Sequence, residues 1–244
     1  MRHILLTLAI AVTLASETKA EPLVADLSES VVKITTGFTG TKVLLFGAIE
    51  GRGKLVVIVE GPRHSLTVRR KRRIAGIWVN RAEVQFDDVP SFYQVLSSDP
   101  LEEWLPLRTR DLYQIGVEYL RFAPRTKVGP AEAASFRDAL IRNMQRNGRY
   151  GVLEGNVTVM GGQLFRADLF LPANLPTGFY SIEVMLIGDG NVKSIQATPL
   201  LVTKSGIGAQ VYDMAYSYPA LYGIMAIVIA VLAGLGANAI FRKV

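Results

Sequence analysis

The chain has no cysteine and only two histidines in 244 residues. Without Cys there is no disulfide framework, no thiolate zinc or iron–sulfur site and no thiol nucleophile. His3 falls in the N-terminal leader, so His64 stands alone in the remainder. One His cannot build a His-rich metal cluster, and its neighbour Ser65 is sequence adjacency without a triad around it. No metal or other cofactor is expected. Charge of one sign is also scarce: 27 Lys+Arg against 21 Asp+Glu give a net +6. So modest a balance gives no support to a nucleic-acid partner. With half the residues apolar, disorder is excluded as well.

What the sequence does have is apolar material, with a mean hydropathy of +0.27. Two segments carry the excess. Residues 1–20 read as a signal peptide: Arg2 and His3, the apolar run Ile4–Ala15, then Thr18-Lys19-Ala20 before Glu21. The apolar run is too short to cross a bilayer, which needs about 20 residues. Residues 220–241 carry no Asp, Glu, Lys or Arg. As a helix they extend about 33 Å, enough for one span. Arg242 and Lys243 follow immediately, and no basic residue lies between Lys204 and the span. The positive-inside rule therefore puts the C-terminus in the cytoplasm and the bulk of the chain outside. Tyr212, Tyr216, Tyr218 and Tyr222 suit an interfacial aromatic belt. Ala226, Ala230 and Gly234 recur every four residues, a small-residue stripe that lets helices approach closely, and Asn238 continues it. These four are the candidate helix–helix interface.

Between leader and span, the pattern is mainly β. Residues 21–89 form an N-terminal β region. Its short runs rich in β-branched and aromatic residues include Val31–Thr36, Thr41–Glu50, Lys54–Glu60, Ser65–Arg70, Ala75–Val79 and Glu83–Phe86, separated by turn material. Residues 90–148 read as a helical insert. Within it, Thr109–Phe122 places Leu112, Ile115 and Tyr119 on one face. A stronger helix opens at Gly129-Pro130, carries Phe136, Leu140 and Met144, and closes at Asn147-Gly148. Residues 149–204 are a C-terminal β region with two hairpin signals, Gly161-Gly162 and Gly188-Asp189-Gly190-Asn191. In Gln163–Leu171 both faces are partly apolar, the pattern of a strand packed on two sides. Residues 205–218 read as a linker, 219–241 as the transmembrane helix and 242–244 as a cytoplasmic tail. The expected fold is an immunoglobulin-like β-sandwich with inserted helices and one C-terminal transmembrane helix. The two β regions either complete one composite sandwich or form two.

Few residues suggest chemistry. Arg69-Arg70-Lys71-Arg72-Arg73 stand out, with no acidic residue between Glu60 and Glu83. On a strand these charges alternate between both faces, so the segment must protrude. It is a candidate site for anionic lipid headgroups, a phosphorylated glycan or an acidic protein. It also suits, and suits better, a solvated edge whose charges deter edge pairing. A second basic group, Arg137, Arg142, Arg146 and Arg149, lies on or just beyond the second helix, where the last turn favours cations. Ser30-Val31-Val32-Lys33 fits a Ser-x-x-Lys pattern but lies on a strand and lacks its partner motifs. Gly51-Arg52-Gly53-Lys54 lacks the spacing of a phosphate loop. Asp87-Asp88 and Glu102-Glu103 are acidic pairs expected in solvated turns. Trp78 and Trp104, with Phe92 and Tyr93, are expected to pack in the core or at a junction. No catalytic residue is assigned.

Several pieces together resemble a known family. They are Val68-Arg69-Arg70-Lys71, Gly76-Ile77-Trp78-Val79-Asn80 and Val89-Pro90-Ser91-Phe92-Tyr93, with Phe38-Thr39-Gly40, Leu45-Phe46-Gly47-Ala48 and the terminal span. The likeness is to alphaproteobacterial transmembrane proteins of about this length and unknown function. It implies a Gram-negative inner membrane and a periplasmic domain, and it brings no functional residues. The resulting expectation is a single-pass inner-membrane protein, non-enzymatic, serving as an accessory or interaction subunit of a transporter or envelope assembly. Its protein partner would lie in the membrane or periplasm. The alternative is a binding module for anionic lipid or glycan through Arg69–Arg73.

Overall fold

Which side of each strand is covered follows from its alternation of residues. In the computed structural model, which describes residues 23–241 except 75, 153 and 154, β1 (Leu23–Leu27) buries Leu23, Ala25 and Leu27 and exposes the residues between. β3 (Gly40–Ile49) and β10 (Leu164–Pro172) alternate likewise. β4 (Lys54–Glu60) does not alternate: Leu55 to Val59 are all buried. A continuous apolar run is what a strand covered on both faces requires. β2 is Val31–Ile34, β7 Tyr93–Ser97, β9 Gly155–Met160, β11 Gly178–Gly188 and β12 Asn191–Lys204. These nine form one curled sheet in the order β1-β3-β10-β9-β7-β4-β11-β12-β2. Strands from before and after the helical stretch thus alternate within it. The two antiparallel blocks meet at a short parallel pairing of β7 with β9. The curl brings β1 back towards β12. The Gln196 side chain there donates to the Ala25 carbonyl and accepts from the Ala25 amide, both at 2.9 Å.

Inside the curl lies the first core, with Leu45, Phe165, Leu169, Val57, Val184 and Leu200 among its members. Each such side chain contributes about 1.5–3 kcal/mol relative to exposure. A second core lies on the outer face of β4, β7 and β11. There Val56, Ile58, Val95 and Met185 meet the helical stretch. That stretch comprises α1 (Leu101–Trp104), α2 (Leu107–Leu112), a 3-10 turn (Val117–Tyr119) and α3 (Pro130–Arg146). α3 begins as its sequence predicts, with Pro130 in its first turn, and buries Phe136, Leu140, Ile141 and Met144. Gly148, at φ 67°, turns the chain away. β5 (Arg63–Ile74), β6 (Ile77–Pro90) and the two-residue β8 (Ala123–Pro124) make a separate three-stranded sheet. α4 (Ile207–Ser217) and α5 (Pro219–Phe241) end the chain.

The mainly β class with inserted helices and one C-terminal apolar helix therefore holds. The strand order gives a curled sheet and does not confirm the immunoglobulin-like detail. Several local expectations change. Thr109–Phe122 is not one helix: Gln114 (φ 53°) and Gly116 (φ 111°) break it, so Ile115 is buried while Leu112 is exposed. Tyr93–Ser97, inside the expected helical insert, is a strand between β4 and β9. The short runs over 65–86 merge into two long strands. β10 is covered on one face only, leaving Leu164 and Phe170 exposed. The expected linker contains helix α4. The leader 1–20 and tail 242–244 lie outside the described residues.

A projecting basic hairpin as candidate interaction surface

The β5–β6 hairpin is an outgrowth of the sheet. β4 pairs with β7 up to Glu60 opposite Tyr93. The Gly61 amide then donates to the Phe92 carbonyl at 2.9 Å and the Ser91 amide to the Pro62 carbonyl at 3.0 Å. Pairing resumes at Arg63 opposite Pro90 and runs to Ile74 opposite Ile77. Gly61 permits this continuity, since an added Cβ would sit 2.5 Å from the Ser91 hydroxyl. Two irregularities in register, near Ser65 and Arg70, increase the ribbon's twist. Asp88, at φ 59°, accommodates the first.

The root of the hairpin is fixed by packing and charge. Val84, Phe86 and Val89 are buried in the second core, and Phe86 meets Phe122 edge-on at 6.2 Å. Arg63 pairs with Glu60 at 2.8 Å and Asp88 at 3.0 Å. Burial alone pulls the Arg63 guanidinium down, but the two carboxylates outweigh it and hold its pKa above the usual value. The Ser65 hydroxyl donates to Asp87 at 2.6 Å. Halfway out, Arg69 pairs with Glu83 at 3.0 Å, though both are well exposed and such pairs add little. Arg70 lies 4.4 Å over the Phe136 ring of α3 and donates to the Ser135 hydroxyl at 3.0 Å.

Beyond Arg70 the hairpin touches no core. Residues 69–82 hold six basic residues and no acidic one. Lys71, Arg72, Arg73 and Arg81 are exposed, and among the described residues none has a carboxylate partner. Arg73 turns back to the Gly76 carbonyl at 3.1 Å, closing the tip. Opposite this run stand Ile77, Trp78 and Val79, which are 68 %, 65 % and 38 % exposed. Arg72 is directly across from Val79, and Arg73 from Trp78. Cations and large apolar side chains therefore share both faces of the tip.

The hairpin leaves the sheet at a particular end. β4 runs towards the start of β11, where Glu60 faces Ser181, and β12 ends beside that start, where Val202 faces Gly178. A Cβ on Gly178 would lie 2.8 Å from the Pro62 ring. β12 then leads through α4 into α5. Hairpin and apolar helix thus depart from the same end.

Arg69–Arg73 are accordingly brought together with one another and with Ile77 and Trp78. The second basic group meets them only where Arg70 touches the N-terminal half of α3. Arg137 lies 5.8 Å from the Phe122 ring and donates to the Leu120 and Glu118 carbonyls. Ala226, Ala230, Gly234 and Asn238 lie along α5, exposed, and nothing stands within 4 Å of a Cβ placed on Gly234. Ser30 and Lys33 flank and enter β2, whose pairing with β12 is parallel. Glu102-Glu103 on α1 line clefts that Asp87-Asp88 on β6 do not. Among the described residues no group of three His, Asp or Glu side chains is placed to hold a metal ion.

Trp78 corrects the sequence reading, which placed it in packing. Trp104 does pack, donating to the Asp99 carbonyl at 3.2 Å with Lys54 5.2 Å over its ring. Arg110, unremarked in the sequence, is buried, paired with Glu118 at 2.7 Å and stacked on Tyr119 at 4.9 Å.

α5 is long and apolar enough to cross a bilayer, with a mean hydropathy of 2.3 over Pro219–Asn238 and no part of that stretch buried. A comparison with curated proteins finds no match. The family described as putative transmembrane protein (Alph_Pro_TM) matches residues 22–243, nearly the whole length, and the chain belongs to that family.

Proposed function

We propose that this chain is a single-span inner-membrane protein whose β domain faces the periplasm and works by binding, as an accessory subunit of a transporter or envelope assembly. The observation that carries the reading is the projecting hairpin. A soluble surface does not ordinarily hold Ile77 and Trp78 in water beside four cations that have no carboxylate partner among the described residues, and such a combination marks an interaction site. The charge pattern at the span, with Arg242 and Lys243 on one side only, supports the orientation. The separated acidic pairs and the solitary His64 favour binding over catalysis, which needs convergent groups.

Photo-crosslinking groups placed at Ile77, Val79 and Ala230 in intact cells test the reading. Discrete adducts from at least one position, absent from a control placed at Gly37, are the expected result. The same diffuse background from all four positions would overturn it.

A further inference from the structure

We infer that the hairpin tip docks on the anionic leaflet of the same bilayer that holds α5. Lys71, Arg72, Arg73 and Arg81 would meet lipid phosphates, while Ile77 and Trp78 would enter the interface. This rests on the reading of the hairpin as a binding element and names what it binds.

Four observations carry it. The first is charge: the distal hairpin has six basic residues and no acidic one, and its outermost cations have no carboxylate partner among the described residues. An anionic headgroup layer complements that run. The second is the apolar tip. A free phosphate or a phosphorylated sugar offers nothing to Ile77 and Trp78, whereas a bilayer interface accepts both, and Trp in particular settles at headgroup level. The third is two-sidedness. Cations and apolar groups lie on both faces of the ribbon, as Arg72 beside Val79 and Arg73 beside Trp78. A flat protein partner would cover one face; insertion into an interface surrounds the tip. The fourth is reach. The 12 residues of β5 extend about 40 Å at roughly 3.3 Å each. The 14 residues between β12 and α5, 11 of them helical in α4, hold the domain no more than about 27 Å from the start of α5. Hairpin and anchor leave the same end of the sheet, and the hairpin is the longer of the two.

Docking of this kind would fix the domain's height and rotation above the bilayer, which one helix and an 11-residue stalk do not.

The test uses the full chain in lipid nanodiscs. Emission of the Trp78→Phe variant, subtracted from that of the unaltered chain, isolates Trp78. In discs containing phosphatidylglycerol, Trp78 emission should be blue-shifted and quenched by brominated acyl chains. In phosphatidylcholine discs it should be water-like and at least several-fold less quenched. Salt near 1 M, where the screening length falls to about 3 Å, should reverse the anionic effect. Replacing Lys71, Arg72, Arg73 and Arg81 together by Ser should do the same; these exposed sites leave the core untouched.

Water-like, unquenched Trp78 emission in anionic discs would overturn the inference. If Ile77 then still crosslinks to a discrete protein in cells, the occupant is an acidic partner and the binding reading stands. If it crosslinks to nothing discrete, and the other positions do not either, both fall. Equal quenching in both lipids would also overturn the inference, by showing insertion without headgroup recognition.

Discussion

Tyr93 shows how a single buried hydroxyl fixes a segment that secondary structure does not hold. It donates to the Gln114 carbonyl at 2.7 Å and accepts from the Gly116 amide at 2.9 Å. Those two residues carry the positive φ angles that break the expected helix. Burial pushes the Tyr93 phenol far above its usual pKa, so it stays protonated and remains a donor. Glu183 is the opposite case: a carboxyl that costs stability. It lies on β11, half-buried, with no ion pair among the described residues. Burial, then the nearby Glu60, raise its pKa above the ordinary 4.5, and Arg63 only partly offsets them. A carboxyl whose folded pKa is raised binds protons better folded than unfolded. Its stability contribution therefore falls as pH rises from 4.5 through the folded value. At neutral pH the charged form is a net penalty. Glu183→Gln should raise Tm at pH 7, with the gain fading as pH falls to 4.5 and below. Each kcal/mol recovered moves Tm by about 2–4 °C in a domain of this size. A loss of Tm at pH 7 would show that Glu183 makes a favourable contact as a carboxylate, and a gain independent of pH would show that its penalty does not come from its charge.

At the scale of elements, β3 is held on both sides. It is bonded to β1 on one side and β10 on the other, which limits how far its backbone can give way. Gly47 lies opposite Ala25 and Phe165. A Cβ there would overlap the Val24 carbonyl oxygen and sit 2.6 Å from the Phe165 ring. Gly47→Ala should destabilise by about 1–3 kcal/mol or more, as overpacking does. Gly37→Ala, with nothing within 4 Å, should be neutral. Thermal unfolding of the two variants side by side checks the contrast, and equal Tm values would refute it. Elements set by local chemistry were legible in the sequence. The Gly161-Gly162 and Asp189-Gly190 turns are where their signals put them, all four residues at positive φ, and α3 runs between its Pro130 and Asn147-Gly148 punctuation. Elements set by distant neighbours were not legible. β7 reads as part of a Pro-punctuated helical stretch because its partners β4 and β9 lie far away in sequence. The candidate site divides in the same way. Five consecutive cations cannot be buried on a strand, so the protrusion of Arg69–Arg73 was readable. The exposure of Trp78 was not, because it depends on the second core ending at Val84 and Phe86, which only the tertiary packing decides.

At the scale of the molecule, the arrangement separates three tasks. A curled sheet with two cores supplies stability without disulfides, helix α5 is long and apolar enough to supply attachment, and the hairpin is the surface proposed to bind at that end. Their use together depends on which side of the bilayer the domain occupies. The positive-inside bias counts Lys and Arg close to the span, within about 15–20 residues. By that measure Arg242 and Lys243 oppose only the Lys204 side, and the larger Arg69–Arg73 run is too distant in the chain to count. The tail should therefore face the cytoplasm, with the hairpin outside beside the outer leaflet of the inner membrane. The absence of Cys makes this directly measurable, since any introduced thiol is the only one. Glu132, exposed in the first turn of α3, and Val244 give one probe on each side. An impermeant maleimide added to cells with a permeabilised outer membrane should label Glu132→Cys at once. Val244→Cys should react only after the inner membrane is dissolved. The reverse pattern would place the domain in the cytoplasm. The hairpin would then face the inner leaflet, so the docking chemistry would survive while the periplasmic assignment would not. Labelling of both thiols while the inner membrane is intact would show that α5 does not span it.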